Sequence, residues 1–125
     1  MTMSAREDAA ISFLKLAAGG RIKEAYDTYV APGFRHHNPY FKGDAASLRL
    51  GMEQSHVEFP NKVLEVKRAL EDGNLVAVHC RIQLKPGTCD YAVIHIFLFE
   101  GDKIAEMWEA GQQVPENLIN EYGVF

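Results

Sequence analysis

Two histidine-bearing strand segments, a histidine-rich stretch and an acid-bearing stretch stand out as places where proton transfer could be carried out. The run Phe34-Arg35-His36-His37-Asn38-Pro39-Tyr40-Phe41 crowds two imidazoles, an amide and three aromatic rings into one short stretch. An imidazole titrates near neutrality, so it can accept or release a proton at pH 7. Pro39 holds Asn38 extended. His79 sits in Val78-His79-Cys80, and His95 in Val93-Ile94-His95-Ile96-Phe97, the most apolar part of the chain. A histidine in such surroundings loses its hydration and requires a partner. Burial lowers its pKa, and a nearby carboxylate raises it. Taken singly, each strand histidine is most often a satisfied core residue, and the early pair a surface or contact feature. Taken together, His37, His79 and His95 point to one shared site. His56 has no such company and reads as a surface residue.

The acids come from Glu106-Met107-Trp108-Glu109. A glutamate is usually exposed, but one inside an apolar strand is less easily dismissed. If Gly101-Asp102 is a two-residue turn, Phe99 opposes Ile104 and His95 opposes Trp108. His95, Phe97, Ile104, Glu106 and Trp108 then share a face, and Glu109 lies on the other with Ile94, Ile96 and Met107. A bulge reverses that assignment. Both registers stay open at this point.

The elements that must position these residues fall into two halves. Ser4 and Glu7 form a capping box at the start of a first helix. Ile11, Leu14 and Ala18 recur on one face of it, and Gly19-Gly20 stops it. A second short helix carries Ile22, Ala25, Tyr26 and Tyr29 inward and ends at Pro32-Gly33. Asp44 caps a third, with Ala45, Leu48 and Met52 buried, closing before Pro60. Residues 34–41 thus read as a loop between helices, where function concentrates. Strands follow. In residues 62–70, Leu64, Val66, Arg68 and Leu70 share one face. In residues 75–84, Val76, Val78, Cys80, Ile82 and Leu84 do, with His79 opposite. Residues 91–99 read as central because they are apolar on both faces, and residues 104–112 form the last strand. Residues 114–125 are amphipathic and pack on the body or on a second subunit. Helices followed by an antiparallel meander predict an α+β fold, a curved sheet closing over helices as a cone with a ligand pocket at its mouth.

At 125 residues the chain predicts one domain, residues 1–125, with 47% apolar and 24% charged residues. A net charge of −4 gives no footprint for nucleic acid or an anionic membrane. No apolar run approaches a membrane span, and the N-terminus has no signal-peptide pattern, so the expectation is cytoplasmic. Cys80 and Cys89 read as free thiols.

Three segments resemble the SnoaL-like proteins. His36-His37-Asn38-Pro39 is similar to their "QHNP". Leu75-Val76-Ala77-Val78-His79 is similar to "LVAVH". Ile94-His95-Ile96-Phe97, through Phe99-Glu100-Gly101-Asp102-Lys103-Ile104-Ala105-Glu106-Met107-Trp108-Glu109, is similar to "DIFRFEDGKIVEHWDV". The wider superfamily includes ketosteroid isomerase, scytalone dehydratase and nuclear transport factor 2. The resemblance implies a cone-shaped α+β barrel, a homodimer, a pocket between sheet and helices, and no cofactor. Carried over, the site positions are His37, Asn38, His79, His95, Trp108 and Glu109. Two departures matter: His95 stands where many relatives have Asp, and Met107-Trp108-Glu109 where they have His-Trp-Asp. An aspartate base of the SnoaL type is therefore missing in its usual form.

The functional expectation is a cofactor-independent acid/base enzyme, a cyclase, isomerase or aldol-type catalyst, acting on an apolar carbonyl compound. His37, His79, His95 and Glu109 are the catalytic candidates. Asn38, Tyr40, Phe97 and Trp108 are the substrate-binding candidates. The alternative is a non-catalytic module that binds a hydrophobic metabolite. A metal held by His37, His79, His95 and Glu109 is disfavoured by the scattered spacing and by the absence of any metal in the resemblance.

Overall fold

The computed structural model describes residues 2–125. Three helices, α1 (Ala5–Ala18), α2 (Ile22–Tyr29) and α3 (Ala45–Glu58), lie against five strands: β1 (Val30–His36), β2 (Val63–Asp72), β3 (Leu75–Gln83), β4 (Tyr91–Glu100) and β5 (Lys103–Gln113). The strands form one open curved sheet in the order β1-β5-β4-β3-β2. Among the described residues, no helix is long and apolar enough to cross a membrane.

The local signals act as their chemistry dictates. The Ser4 hydroxyl accepts the Glu7 N–H at 3.1 Å, and the Glu7 carboxylate accepts the Ser4 N–H at 2.9 Å. Asp44 accepts the Ser47 N–H at 2.9 Å and so caps α3. The core forms where α1 and α2 meet the inner face of the sheet. There Phe13 packs edge-on against Tyr26 at 5.7 Å and against Phe97 at 6.0 Å, an arrangement that aromatic quadrupoles favour.

Four expectations need correction. The sheet is mixed, not wholly antiparallel, because β1 pairs in parallel with β5. Pro32 and Gly33 do not lead from a helix into a loop: they lie within β1, an edge strand, where a residue without an N–H is tolerated. In β2 the pairing slips between Val66 and Arg68, so Lys67 is an extra residue. That bulge turns Arg68 and Leu70 outward and leaves Leu70 exposed, while Ala69 packs on the core. Finally, His56 is no surface residue. Its ring lies against the α1–α2 turn, and its Nδ1 is buried without a hydrogen-bond partner.

That last contact explains why Gly20 is a glycine. Its φ is +85°, and a Cβ there would come within 2.2 Å of His56 Nε2. Gly20→Ala should destabilise the fold by about 1–3 kcal/mol, from left-handed strain and overpacking together. Thermal unfolding checks it: His56→Ala in the Gly20→Ala background should recover part of the loss, and no recovery would mean that the imidazole is not what the added methyl strikes.

Candidate functional site

A cavity of about 270 Å³ opens between the helices and the inner face of the sheet. Helix α1 lines it with Leu14, Ala17 and Ala18, and α3 with Leu48, Gly51, Met52 and Ser55. The sheet contributes Leu64, Ile82, His95 and Glu109, with Lys62 just ahead of β2, and the β1–α3 connection contributes Asn38 and Phe41. The small side chains on α1 and α3 keep the space open. At Gly51 a Cβ would fall 2.4 Å from the Phe41 ring, so the glycine is what lets that partly exposed ring lie close over α3.

His95 and Glu109 are placed by the β4–β5 hairpin. Glu100 pairs with Lys103 across Gly101-Asp102, and Phe99 with Ile104. The next pair is Leu98 with Glu106, so Ala105 is an extra residue in β5. This bulge realises the second of the two registers left open by the sequence. Beyond it His95 pairs with Glu109, and both side chains face inward. His95 is only 6% exposed. Its Nε2 lies 3.4 Å from Glu109 Oε2, long for a hydrogen bond but well within charge–charge reach. Its Nδ1 is buried and has no hydrogen-bond partner. The other Glu109 oxygen accepts the Asn38 side-chain amide.

Asn38 is itself fixed. Its Oδ1 accepts the Tyr40 N–H at 2.9 Å, which leaves Nδ2 to face Glu109. Its backbone N–H donates to His36 Nδ1 at 3.0 Å. The opposite nitrogen of His36 therefore carries the proton and donates to the Lys42 carbonyl at 2.6 Å. His36, which sequence reasoning passed over as a site residue, is thus the buried post on which Asn38 is hung. The inward phase of Phe34 and His36 on one strand was the available signal.

The fold and this geometry meet the comparisons with known proteins at one point. The family model described as the SnoaL-like domain matches residues 10–107. The chain belongs to the SnoaL-like domain family. Several solved structures share the fold of this SnoaL-like chain. A candidate polyketide cyclase from Acidithiobacillus ferrooxidans superposes with a TM-score of 0.74 at 17% identity, covering 90% of this chain and 92% of the other. AclR, a candidate hydroxylase from Streptomyces galilaeus, gives 0.73 at 16% identity, covering 89% and 91%. An NTF2-like protein of unknown function from Cytophaga hutchinsonii gives 0.69 at 16% identity, covering 90% and 93%. No match was found among curated proteins.

Of the residues singled out from the sequence, the SnoaL-like cavity gathers His95, Glu109 and Asn38. The others lie elsewhere, so the expected convergence of three imidazoles does not occur. His37 points to the outer face of the sheet. There its ring stacks on Trp108 at 5.1 Å, and its Nε2 meets Glu106 Oε2 at 2.6 Å. The Ala105 bulge is the reason, since it turns Glu106 and Trp108 outward together. His79 is also outward, between Arg68, which contacts its Nδ1, and the Phe125 ring at 6.0 Å. Burial, the Arg68 guanidinium and Lys67 all push its pKa down. Tyr40 is 85% exposed and its side chain does not line the cavity. Phe97 is fully buried core, packed beneath the His95 ring at 6.1 Å. With His37 and His79 on the far side of the sheet from His95 and Glu109, those four cannot close on one metal ion. No cluster of three or more metal-ligating side chains occurs among the described residues.

The facing His95 imidazole is the largest influence holding the Glu109 carboxyl below the ordinary carboxylate range. Burial opposes it, and Asn38 and His36 add to it. A carboxyl depressed in this way binds its proton less readily folded than unfolded. Its contribution is full above the unfolded value of about 4.3 and is lost as pH falls through the folded one. On acidification, the urea midpoint of the wild type should therefore fall faster than that of Glu109→Gln. Midpoints that stay parallel from pH 7 to pH 3 would show that charge is not what holds Glu109.

Proposed function

We propose that this SnoaL-like chain is a cofactor-independent acid/base catalyst that moves a proton beside the carbonyl of an apolar small molecule, with His95 as the base. One observation carries the reading: a deeply buried imidazole faces a carboxylate in a cavity that is otherwise mostly apolar. In the reaction, the base is Nε2, the nitrogen by which the His95 ring faces Glu109 in the cavity. As Nε2 takes the proton α to the carbonyl, the Glu109 carboxylate 3.4 Å away stabilises the imidazolium that forms. Asn38 has a second amide N–H beyond the one given to Glu109, and it donates to the enolate oxygen. His37 and His79 have no part in this scheme. The cavity holds the volume of about nine waters at roughly 30 Å³ each, which suits a molecule of one or two rings.

We further propose that the chain is a homodimer joined through the outer face of the sheet. That face presents Ile94 at 45% and Ile96 at 38% exposure beside Trp108 and Leu98. A cytoplasmic setting fits the two free thiols, Cys80 and Cys89.

Two measurements test these readings. Deuterium exchange at the activated carbon of 2-tetralone, followed by proton NMR, should be accelerated by the wild type. It should drop about 10²-fold or more in His95→Ala and stay unchanged in His79→Ala. Exchange that survives His95→Ala removes the proposed base, and probe binding with no exchange at all would leave a binding module. For the interface, sedimentation equilibrium should show a dimer that Ile94→Glu with Ile96→Glu converts to monomer. A monomeric wild type refutes the proposed contact.

A further inference from the structure

The cavity has a second polar end that the proton-transfer scheme does not use. Lys62, in the short link between α3 and β2, lines it together with Ser55 of α3. The Lys62 ammonium donates to the Phe59 carbonyl at 3.2 Å, and the Phe59 N–H donates to the Ser55 carbonyl at 2.7 Å. The ammonium is therefore anchored at the C-terminal end of α3 with two of its three N–H groups unused. Burial pulls its pKa down, and among the described residues no carboxylate pairs with it to oppose that pull. The half-buried cation thus lacks the counter-charge that such a group ordinarily acquires.

Sheet register separates this end from the other. His95 pairs with Val78 on β3, and Leu64 pairs with Ile82 four residues further along the same strand. At about 3.3 Å per residue, those two levels lie about 13 Å apart. Lys62 attaches beyond Leu64, and the wall between is apolar, with Leu14, Leu48, Leu64 and Ile82.

We propose that the ligand of this cavity carries a carboxylate, bound by Lys62 at the end remote from His95 and Glu109; the inference rests on the small-molecule reading given above. The two ends differ in sign. Glu109, held as a carboxylate, repels an anion, and Lys62 attracts one. A molecule with a carboxylate at one end and a neutral carbonyl at the other can then enter in only one sense, with its carbonyl delivered to His95. Lys62 is a specificity-determining residue in this account, and the substrate class narrows to small aromatic or alicyclic keto acids.

A lysine beyond a helix end can serve only to satisfy the last carbonyls, so the test must separate that role from ligand recognition. The probes are 4-acetylbenzoate and its neutral counterpart 4-acetylbenzamide, titrated calorimetrically into wild type, Lys62→Met and Lys62→Arg. Wild type should bind the acid about tenfold tighter than the amide, as a hydrogen bond to a charged group in partly buried surroundings allows. Lys62→Arg should keep the preference. Lys62→Met should lose it while its affinity for the amide stays within about twofold of wild type. A helix-capping role alone would weaken both probes alike. If Lys62→Met does not fold, ionic strength decides on the wild type: the preference should shrink between about 20 mM and about 500 mM salt, and a salt-independent preference overturns the proposal. Equal affinities in wild type, or a preference that survives Lys62→Met, also overturn it. If the amide binds and its acetyl protons exchange in a His95-dependent way while the acid gains nothing, only the Lys62 assignment fails. If neither probe binds, the small-molecule reading fails with it.

Discussion

Side chains on a strand alternate between faces, so one residue inserted into a ladder moves everything beyond it to the opposite side. In β5 that residue is Ala105, and the site depends on it. Between the pair Phe99–Ile104 and the pair Leu98–Glu106, β5 carries one residue more than β4. Upstream the ladder is fixed by the tight turn at Gly101-Asp102 and by Ile104, which is fully buried in the core. Downstream, Met107 and Glu109 turn inward, and Glu106 and Trp108 outward. An unbroken ladder would set the indole beside His95, send Glu109 to the outer surface, and leave a buried imidazole with no acid facing it.

The same step creates two acid–imidazole pairs on opposite faces, and their surroundings give them different work. On the outer face, His37 and Glu106 approach to 2.6 Å, with Arg35 3.1 Å away on the other oxygen. His37 is about half exposed and Arg35 largely so, while Glu106 between them is buried, so solvent screens the attraction only from the basic side. It lies where Arg35 and His36 of β1 pair in parallel with Glu106 and Met107 of β5, and it fastens the edge strand. On the inner face, His95 and Glu109 are further apart, at 3.4 Å, yet apolar walls replace solvent around them and charge is felt more strongly there. The shorter contact is structural, and the longer one, in drier surroundings, is where protonation can be coupled to a bound molecule. Hydrogen bonds at catalytic groups are often long before a ligand arrives.

How much of this is legible in the sequence follows from the range of each interaction. The caps at Ser4 and Asp44, the glycine stop after α1 and the turns of both hairpins are short-range, and each stands in the sequence as a motif. The family's cone is legible too, through the three resembling segments. Strand β1 is not. Its partner is 70 or so residues away, and Pro32-Gly33 looks locally like an exit from a helix. The bulges at Lys67 and Ala105 have no local signature, because either register leaves a plausible alternation. Hence the face of Glu109 stays open in the sequence, and Trp108 looks like a pocket residue when it is not. His79 differs. Its alternation already sets it opposite Val78 and Cys80, and once those two are core it must point outward. Grouping it with His95 gave weight to residue type where strand phase was the stronger constraint.

The cavity itself depends as much on missing side chains as on present ones. Ala17, Ala18 and Gly51 face it from two helices, and larger residues at those positions would close it, as protein interiors close-pack wherever they can. Phe41 lies over the space that Gly51 vacates. The fold thus keeps open a volume it could fill, and beside it keeps a buried nitrogen without a partner and an ammonium without a counter-charge. The open volume and the unpaired ammonium each lower stability when nothing is bound, and a molecule of the right shape and polarity would relieve both. An apolar middle between a histidine–glutamate end and a cationic end is a pattern that packing alone gives no reason to preserve. Recognition of a small molecule would supply that reason, since filling the volume and pairing the ammonium would recover both costs at once.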